Sequence, residues 1–241
     1  MRYLLFSDIH SNWEAFSAFL DFLEKEKFDK LIFLGDAVGY GADPEKVVKE
    51  LSRLNLSKCA GNHDWAVVDK FSLEYFNPMA KYAIEWTKKF ISSFTFNFLF
   101  SLPLKCEEKN FLCVHGSIFK PEKFYYITNI EEARFNFPFL EKTICFVGHT
   151  HRPGIYIKKE DKIYFFQGEE LNLDFRFKYI VNVGSIGQPR DGDPRLCFCI
   201  YDEDRKKITY KRLEYDIMKT QRKIIEKGLP PFLAYRLKQG I

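Results

Sequence analysis

The sequence lacks a hydrophobic run of the roughly 20 residues that a helix needs to cross a bilayer, and it lacks a polybasic segment. Its 37 Lys and Arg residues outnumber its 33 Asp and Glu residues by only 4, and they are spread along the chain. We therefore expect no membrane partner, and we expect a solvated surface rather than a basic surface for nucleic acid.

We also expect no export signal, because the first predicted strand begins at Arg2 and the polar residues Asp8 and His10 follow it directly. The six cysteines lie far apart, and only Cys197 and Cys199 are placed to share one face of a strand. A zinc site of cysteines would need a second such pair, so we expect the thiols to pack in a core. These features predict a cytoplasmic protein with reduced cysteines.

Hydrophobic patterning in the first 60 residues predicts an alternation of strands and helices. Short apolar runs predict buried strands at 2–7, 30–34 and 57–60. Apolar residues at helical spacing predict helices at 12–26 and 44–54. This β-α-β-α-β order is typical of a parallel sheet.

The rest of the chain changes its rhythm after residue 154. Before that point we predict a helix at 78–90, strands at 110–114 and 143–147, and a helical insertion around 120–140. After it, short turns separate predicted strands in what resembles an antiparallel meander. These strands are at 154–158, 162–167, 179–183, 195–201 and 207–214. A helical tail around 215–241 follows, and because no repeat or linker interrupts the chain, we expect one domain over 1–241.

All five histidines follow a predicted strand or lie in the loop after it. They belong to a set of five short motifs, each of which is weak evidence alone. The motifs are Asp8-Ile-His10, Gly35-Asp36, Gly61-Asn62-His63-Asp64, Val114-His115-Gly116 and Gly148-His149-Thr-His151. Strand ends of a parallel sheet converge on one edge, so we expect these side chains to form one metal site. Oxygen and nitrogen ligands without sulfur favour Mn, Fe, Ni, Co or Zn over Ca²⁺.

With these five motifs in order, the chain resembles the calcineurin-like metallophosphoesterases from residue 1 to about residue 215. It is most similar to their small bacterial and archaeal phosphodiesterase branch, which the run Asn182-Val-Gly-Ser-Ile-Gly-Gln-Pro-Arg190-Asp-Gly-Asp-Pro194 also resembles. The resemblance implies an α/β fold, a four-layer α-β-β-α sandwich with mixed sheets. It also implies metal ions bound at the strand ends.

The resemblance assigns the motif residues to two divalent or trivalent transition-metal ions. The ligands of one metal are Asp8, His10 and His151, those of the other are Asn62, His115 and His149, and the bridge between them is Asp36. A hydroxide between the two metals would attack the phosphorus. His63 is then expected to protonate the leaving group, with Asp64 orienting its imidazole.

Two departures from the protein phosphatases point to a different substrate. Tyr40 stands where those enzymes carry a phosphate-binding arginine, and their Gly-Asn-His-Glu reads Gly-Asn-His-Asp here. We therefore expect a small phosphate-ester substrate, most consistent with a small-molecule or nucleotide phosphodiester. Arg190 either contacts that phosphate or pairs with Asp191 or Asp193.

Several alternatives remain open. A group of aromatic residues either covers the site and stacks on a base or simply packs; these are Phe119, Phe124, Tyr125 and Tyr126. The chain could also be a non-catalytic metal-binding scaffold of the same fold, a nuclease, or an asymmetric dinucleoside polyphosphate hydrolase. The apolar insertion could support a homodimer.

Overall fold

The computed structural model describes all 241 residues and contains twelve strands and eight α-helices. The strands are β1 Arg2–Phe6, β2 Lys30–Phe33, β3 Leu56–Lys58, β4 Lys105–Glu107, β5 Phe111–Val114, β6 Ile144–Val147, β7 Gly154–Lys159, β8 Lys162–Phe166, β9 Glu170–Asn172, β10 Lys178–Asn182, β11 Leu196–Asp202 and β12 Lys207–Leu213. The helices are α1 Trp13–Leu23, α2 Pro44–Leu51, α3 Asn62–Val67, α4 Pro78–Phe90, α5 Ser93–Ser101, α6 Ile130–Asn136, α7 Ile217–Glu226 and α8 Pro231–Gln239. No helix is both long enough and apolar enough to span a bilayer.

The strands form two mixed sheets of six strands each. The first has the order β3-β2-β1-β11-β12-β9, and the second has the order β4-β5-β6-β10-β7-β8. Strands β1, β2 and β3 run parallel, as do β5, β6 and β10, while β11 runs antiparallel to β1. The parallel pairing predicted for the first three strands is therefore confirmed, and so is the expected sandwich of mixed sheets.

Alternation along β1 shows how the layers are held together. Tyr3 and Leu5 point into the core between the two sheets, where Phe111 and Phe146 of the second sheet meet them. Leu4 and Phe6 point to the opposite face and pack with residues of α1. Successive side chains of a strand face opposite sides, so a short, fully apolar strand can bury both of its faces.

The antiparallel pairing predicted after residue 154 is confirmed for the β7–β8 and β11–β12 hairpins, but these strands do not form one meander. The structure divides these strands between the sheets: β7, β8 and β10 join the second sheet, whereas β9, β11 and β12 join the first. Both β10 and β11 are almost fully buried and pair with strands from the first 150 residues. Local turn signals cannot report such pairing, because it depends on contacts between distant segments.

The segment at 120–140 contains less helix than expected. It has only the seven-residue helix α6 and two short 3₁₀ turns, at Pro121–Lys123 and Phe137–Phe139. Sequence patterning also missed α3 and α5. Helix α3 begins inside the Gly-Asn-His-Asp motif, and α5 has aromatic residues on nearly every side, which hides its helical period.

Candidate metal centre

The five sequence motifs come together at adjoining edges of the two sheets. Asp8 and His10 follow β1, Asp36 follows β2, and Asn62 begins α3 in the turn after β3. In the second sheet His115 follows β5, while His149 and His151 follow β6. Parallel strands end at the same edge of a sheet, which explains why residues 140 positions apart can meet.

The first cluster of ligand atoms contains Asp8, His10 and His151. Asp8 Oδ1 lies 3.2 Å from His151 Nε2 and 3.6 Å from His10 Nε2. The two Nε2 atoms are 3.1 Å apart. The three atoms therefore converge on one point, as the ligands of a single ion do.

The second cluster contains Asp36, His115 and His149. Asp36 Oδ2 lies 3.2 Å from His115 Nε2, and it also lies 3.6 Å from His10 Nε2 in the first cluster. The same carboxylate thus contacts both groups. A single oxygen in this position is suited to bridge two neighbouring cations.

Backbone carbonyl groups orient three of the imidazoles. Nδ1 of His10 lies 3.0 Å from the Val38 carbonyl oxygen, and Nδ1 of His115 lies 2.6 Å from that of Leu34. Nδ1 of His151 lies 2.6 Å from the carbonyl oxygen of Gln188. A carbonyl only accepts, so Nδ1 must donate its proton, which leaves the Nε2 lone pair directed into the cluster.

Several polar atoms in the cluster are buried without any hydrogen-bond partner. They are Asp8 Oδ1, Asn62 Oδ1, His115 Nε2 and His149 Nε2. An unpaired buried polar group costs about 1–3 kcal/mol, and all four of these atoms can donate an electron pair to a metal, His115 Nε2 once it has lost its proton. Bound metal ions would satisfy them, so the residues present fit the cations that the sequence predicts.

The backbone carries strain at the same positions. Asp8, His10, Asp36, His149 and His151 all have positive φ, between 49° and 67°. The left-handed region costs a non-glycine residue about 1–2 kcal/mol, and such outliers concentrate at functional sites. Five of them among the ligands indicate that the surrounding fold holds these side chains in place at the expense of stability.

In the absence of metal, burial and charge drive the histidines to different protonation states. Burial, helped by the charge of His115, lowers the pKa of His149 to about 3. Burial, helped by Arg190, lowers the pKa of His151 to about 3. Burial alone would lower the pKa of His115, but the Asp36 and Asp8 carboxylates and the hydrogen bond to the Leu34 carbonyl together outweigh burial and raise the pKa to about 9.

Comparisons with known proteins agree with this geometry. The family model described as the calcineurin-like phosphoesterase superfamily domain matches residues 1–206. An uncharacterized protein of Methanocaldococcus jannaschii is 40% identical over 239 residues, which are 97% of this chain and 96% of that protein.

The chain belongs to the calcineurin-like phosphoesterase superfamily.

Solved structures support the same assignment. A metallophosphoesterase from Sphaerobacter thermophilus is 38% identical, with a TM-score of 0.86 over 100% of this chain and 99% of that chain. A hypothetical protein from Pyrococcus horikoshii is 19% identical, with a TM-score of 0.80 over 100% of this chain and 98% of that chain. The second likeness concerns the fold alone.

In this calcineurin-like phosphoesterase, Asp64 has different partners from those expected. Its two carboxylate oxygens accept hydrogen bonds from four backbone N–H groups, those of Asp36, Ala37, Val38 and Gly61. His63 Nδ1 has no hydrogen-bond partner at all, so the expected orienting bond from Asp64 is absent. Asp64 instead holds the loop that carries Asp36 against the start of α3.

Packing, rather than a carboxylate, positions the His63 imidazole. Its ring centroid lies 4.5 Å from that of Tyr40 and 5.0 Å from that of Phe76, and its backbone N–H donates to Asp36 Oδ1. Gly39 has a φ of +92°, and a Cβ there would lie 2.4 Å from His63 Nδ1. Burial lowers the pKa of His63 well below its usual value, while the Asp36 charge opposes that shift.

Arg190 does not pair with either neighbouring aspartate. Asp191 and Asp193 instead form salt bridges with Arg212. Nη2 of Arg190 donates to the side-chain oxygen of Gln188 at 2.7 Å. The guanidinium carbon Cζ of Arg190 lies 5.6 Å from the centre of the Tyr40 ring. The pairing alternative is therefore wrong, and this arginine has no carboxylate to neutralise it.

The aromatic residues divide between the two roles considered for them. Phe124, Tyr125 and Tyr126 line a cavity that reaches His63 and His149, and the Tyr126 ring stacks on His149 with centroids 3.9 Å apart. Phe119 packs against Phe135 and Phe139 and does not line this cavity.

Two residues of the 182–194 run support the loops that carry the metal ligands, and sequence reasoning did not identify them. Asn182 Nδ2 donates to the carbonyl oxygen of Gly148 and to the hydroxyl of Thr150, which holds the loop carrying both terminal histidines. The Ser185 hydroxyl donates to the Asp8 carbonyl oxygen. The only signal was the family resemblance of this run, which does not reveal what each residue contacts.

Proposed function

We propose that this phosphoesterase hydrolyses a phosphodiester, from a small molecule or a nucleotide, with two metal ions bound in the clusters described above. The observation that carries the proposal is the Asp36 carboxylate, whose Oδ2 lies within 3.6 Å of Nε2 atoms from both clusters. Two cations that share such a bridge are spaced to engage one phosphoryl group together.

When bound, the metals lower the pKa of a coordinated water and offset the negative charge of the phosphate oxygens. The protein contributes a fixed geometry. Carbonyl-anchored imidazoles and strained backbone hold the ligands of the first cluster, and the Asp64 network holds the Asp36 loop. Such preorganisation means that little rearrangement is needed when the substrate arrives.

His63 is the residue proposed to protonate the departing oxygen. Its imidazole borders the cavity beside the clusters, and because Nδ1 is buried against Gly39, Nε2 is the nitrogen available to the substrate. Burial lowers the pKa of His63 well below its usual value and the nearby Asp36 charge opposes that shift, so the acid role requires the negative charge of the bound phosphate to hold the imidazole protonated. Asp64 acts on His63 only indirectly, by fixing the turn from which α3 begins.

Arg190 is the residue proposed to bind a phosphate oxygen. Its backbone N–H donates to the His151 carbonyl oxygen at 3.2 Å, and its guanidinium bonds the side chain of Gln188, whose carbonyl oxygen anchors His151, so Arg190 lies beside the first cluster. It packs over Tyr40, the residue that replaces the phosphate-binding arginine of the protein phosphatases. An arginine from the 182–194 run can therefore supply the positive charge that the Gly35–Gly41 loop does not.

The direct test is metal analysis combined with hydrolysis of bis-p-nitrophenyl phosphate. Protein loaded with Mn²⁺ should contain close to two ions per chain and should release p-nitrophenol, whereas EDTA-treated protein should not. A fully loaded protein without activity on any phosphodiester would contradict the proposal and favour a binding scaffold. Protein that binds no transition metal would contradict it more completely.

A further inference from the structure

Two cavities flank the ligand clusters, and their chemistry differs. The first, of about 280 Å³, reaches Asn62, His63 and His149 and is walled mainly by aromatic side chains; we call it the aromatic pocket. The second, of about 460 Å³, is mostly polar. Its polar lining comes from Thr128, Thr150, Arg152, Gln167, Asn182, Arg190 and Asp191, and the Asp191 carboxylate is neutralised by Arg212.

The inner wall of the aromatic pocket is a packed group of rings. Phe71 contacts Phe76 edge-on at a centroid distance of 5.8 Å and Phe124 edge-on at 5.2 Å. Phe76 in turn meets the His63 imidazole at 5.0 Å. Because these rings hold one another, the wall is preformed and extends directly from His63.

The rim of the pocket exposes more aromatic surface. Tyr75 is 69% exposed and stacks on Phe71 with centroids 5.2 Å apart, and Tyr125 and Tyr126 are each 50% exposed. Tyr126 stacks on His149, which places it beside the second cluster. Apolar rings that surround a cavity next to titratable groups are typical of a ligand site.

The position of His63 determines which part of a substrate faces each of the two cavities. If His63 donates the proton to the departing oxygen, that oxygen must lie within hydrogen-bond distance of its imidazole. The group attached to that oxygen then extends along the wall that begins at His63, which is the aromatic pocket. The remaining ester or phosphate group faces Arg190 and the polar cavity.

We propose that the aromatic pocket binds the leaving alcohol of the phosphodiester through a planar aromatic ring, and that this alcohol is a nucleoside. The inference rests on the proposed function, because the role of His63 as proton donor is what places the leaving alcohol next to the aromatic pocket. Base–aromatic stacking is worth about 1–3 kcal/mol per base, which corresponds to about 10- to 100-fold in binding.

The reaction balances without any further reactant. The oxygen of water bonds to phosphorus, the bond from phosphorus to the nucleoside oxygen breaks, and its electron pair stays on that oxygen. The proton on the departing oxygen comes from His63, and the proton that water loses on attack restores His63 through solvent. The products are the free nucleoside and the phosphate monoester of the other alcohol.

The methyl ester of AMP tests which alcohol is the leaving group, because adenosine and methanol are both esterified to the same phosphorus and both are aliphatic alcohols. The metal-loaded enzyme should release adenosine and methyl phosphate, and the base-free analogue 1-deoxyribose 5-methyl phosphate should show a kcat/KM about 10- to 100-fold lower. AMP and methanol as the main products would overturn the inference. Equal kcat/KM for the two esters would also overturn it.

Tyr75→Ala tests the pocket itself, with Tyr235→Ala as its control, since Tyr235 is also strongly exposed but lines neither cavity. Calorimetry should show that Tyr75→Ala weakens adenosine binding about 10-fold, whereas Tyr235→Ala leaves it unchanged. Ribose should bind neither protein measurably. Adenosine affinity that is the same in both variants would contradict the inference.

Failure of the inference is distinguishable from failure of the proposed function. Hydrolysis of bis-p-nitrophenyl phosphate without any preference for the adenine ester would reject only the nucleoside assignment. Loss of all phosphodiester hydrolysis in metal-loaded protein would reject the function. The calorimetric measurement reports the adenosine affinity of the pocket in either case, because it requires no turnover.

Discussion

The metal-ligand clusters and the aromatic pocket lie side by side but are built differently. The ligands follow strand ends and are almost completely buried, with Asp8 at 0% and His151 at 2% exposure. The pocket walls come from a loop, a 3₁₀ turn and the 120–140 segment, and Tyr75 at the rim is 69% exposed. Positive φ occurs at five of the ligands and also at Tyr40 and Phe124 in the buried pocket wall, whereas the exposed rim residues Tyr75, Tyr125 and Tyr126 do not have it.

This difference suggests a division of roles, in which the ligand clusters carry out the reaction and the aromatic pocket selects the substrate. Strand ends, carbonyl anchors and left-handed backbone leave the ligands little freedom, so a change there should remove the reaction. Exposed rings on loops can be replaced at small cost to stability, so a change there should alter which substrate is preferred. The predictions that follow test this division, from the largest expected effect to the smallest.

Asp36→Asn should have the largest effect, because it removes the charge shared by both clusters. We expect loss of at least one metal ion and a fall in kcat/KM of about 10³-fold or more, as measured by elemental analysis and diester hydrolysis. The fold should persist, since the amide can still accept from the His63 N–H. Full metal content together with normal activity would show that Asp36 is not the bridge.

His63→Ala should separate catalysis from metal binding. We expect both metals to remain and kcat to fall about 10²–10⁴-fold, because only the proton donor is lost. Metal content and kcat on bis-p-nitrophenyl phosphate check this together. A variant that also loses metal would make His63 a ligand rather than an acid.

The metal-free protein should be most stable near pH 6.5. His115 has a pKa raised to about 9, so its contribution is complete below 6.5 and is lost as pH rises towards 9, up to about 3 kcal/mol. His149 and His151 have pKa values lowered to about 3, so protonation penalises the native state as pH falls below 6.5.

Urea titrations of EDTA-treated protein between pH 5 and 9 measure this dependence. His115→Asn is the matched variant, and it should abolish the decline on the alkaline side while keeping the one on the acid side. A free energy of unfolding that rises steadily from pH 6.5 to 9 would contradict the ion pair between Asp36 and His115.

Arg190→Gln should have the smallest effect of these. We expect KM to rise about 10-fold with kcat less affected, because one charge-assisted contact to the substrate is lost while the clusters stay intact. Arg195→Gln is the control, since Arg195 pairs with Asp193 and lines neither cavity. Equal KM values for the two variants would remove Arg190 from the substrate site.

Much of the site was predictable because its signal is local. Each ligand stands directly after a short apolar strand, and five such motifs in order identify both the residues and the family. Helices with a clear apolar period, such as α4, were predicted with the bounds that the structure gives them. Helix α5 was missed because aromatic residues interrupt that period.

The roles of Asp64 and Arg190 were harder to predict, because each depends on partners distant in sequence. Adjacency to His63 suggested that Asp64 orients it, yet the side chain reaches backbone amides 26 to 28 residues earlier. Adjacency likewise suggested aspartate partners for Arg190, but those acids lie in the loop before β11 and pair with Arg212 and Arg195. Neighbours in sequence were poor guides to neighbours in space.

The sequence by itself determined the strand and helix periods of the first 60 residues, the side chains that converge in the candidate metal centre and the family to which the chain belongs. Only the tertiary structure decided how the strands after residue 154 divide between two sheets, which residues anchor the ligand loops, and where the aromatic pocket lies. The physical reason is the sequence separation of the interacting residues. Burial patterns and strand ends are encoded in consecutive residues, whereas strand pairing and cavity walls arise from contacts between segments that are far apart in the sequence.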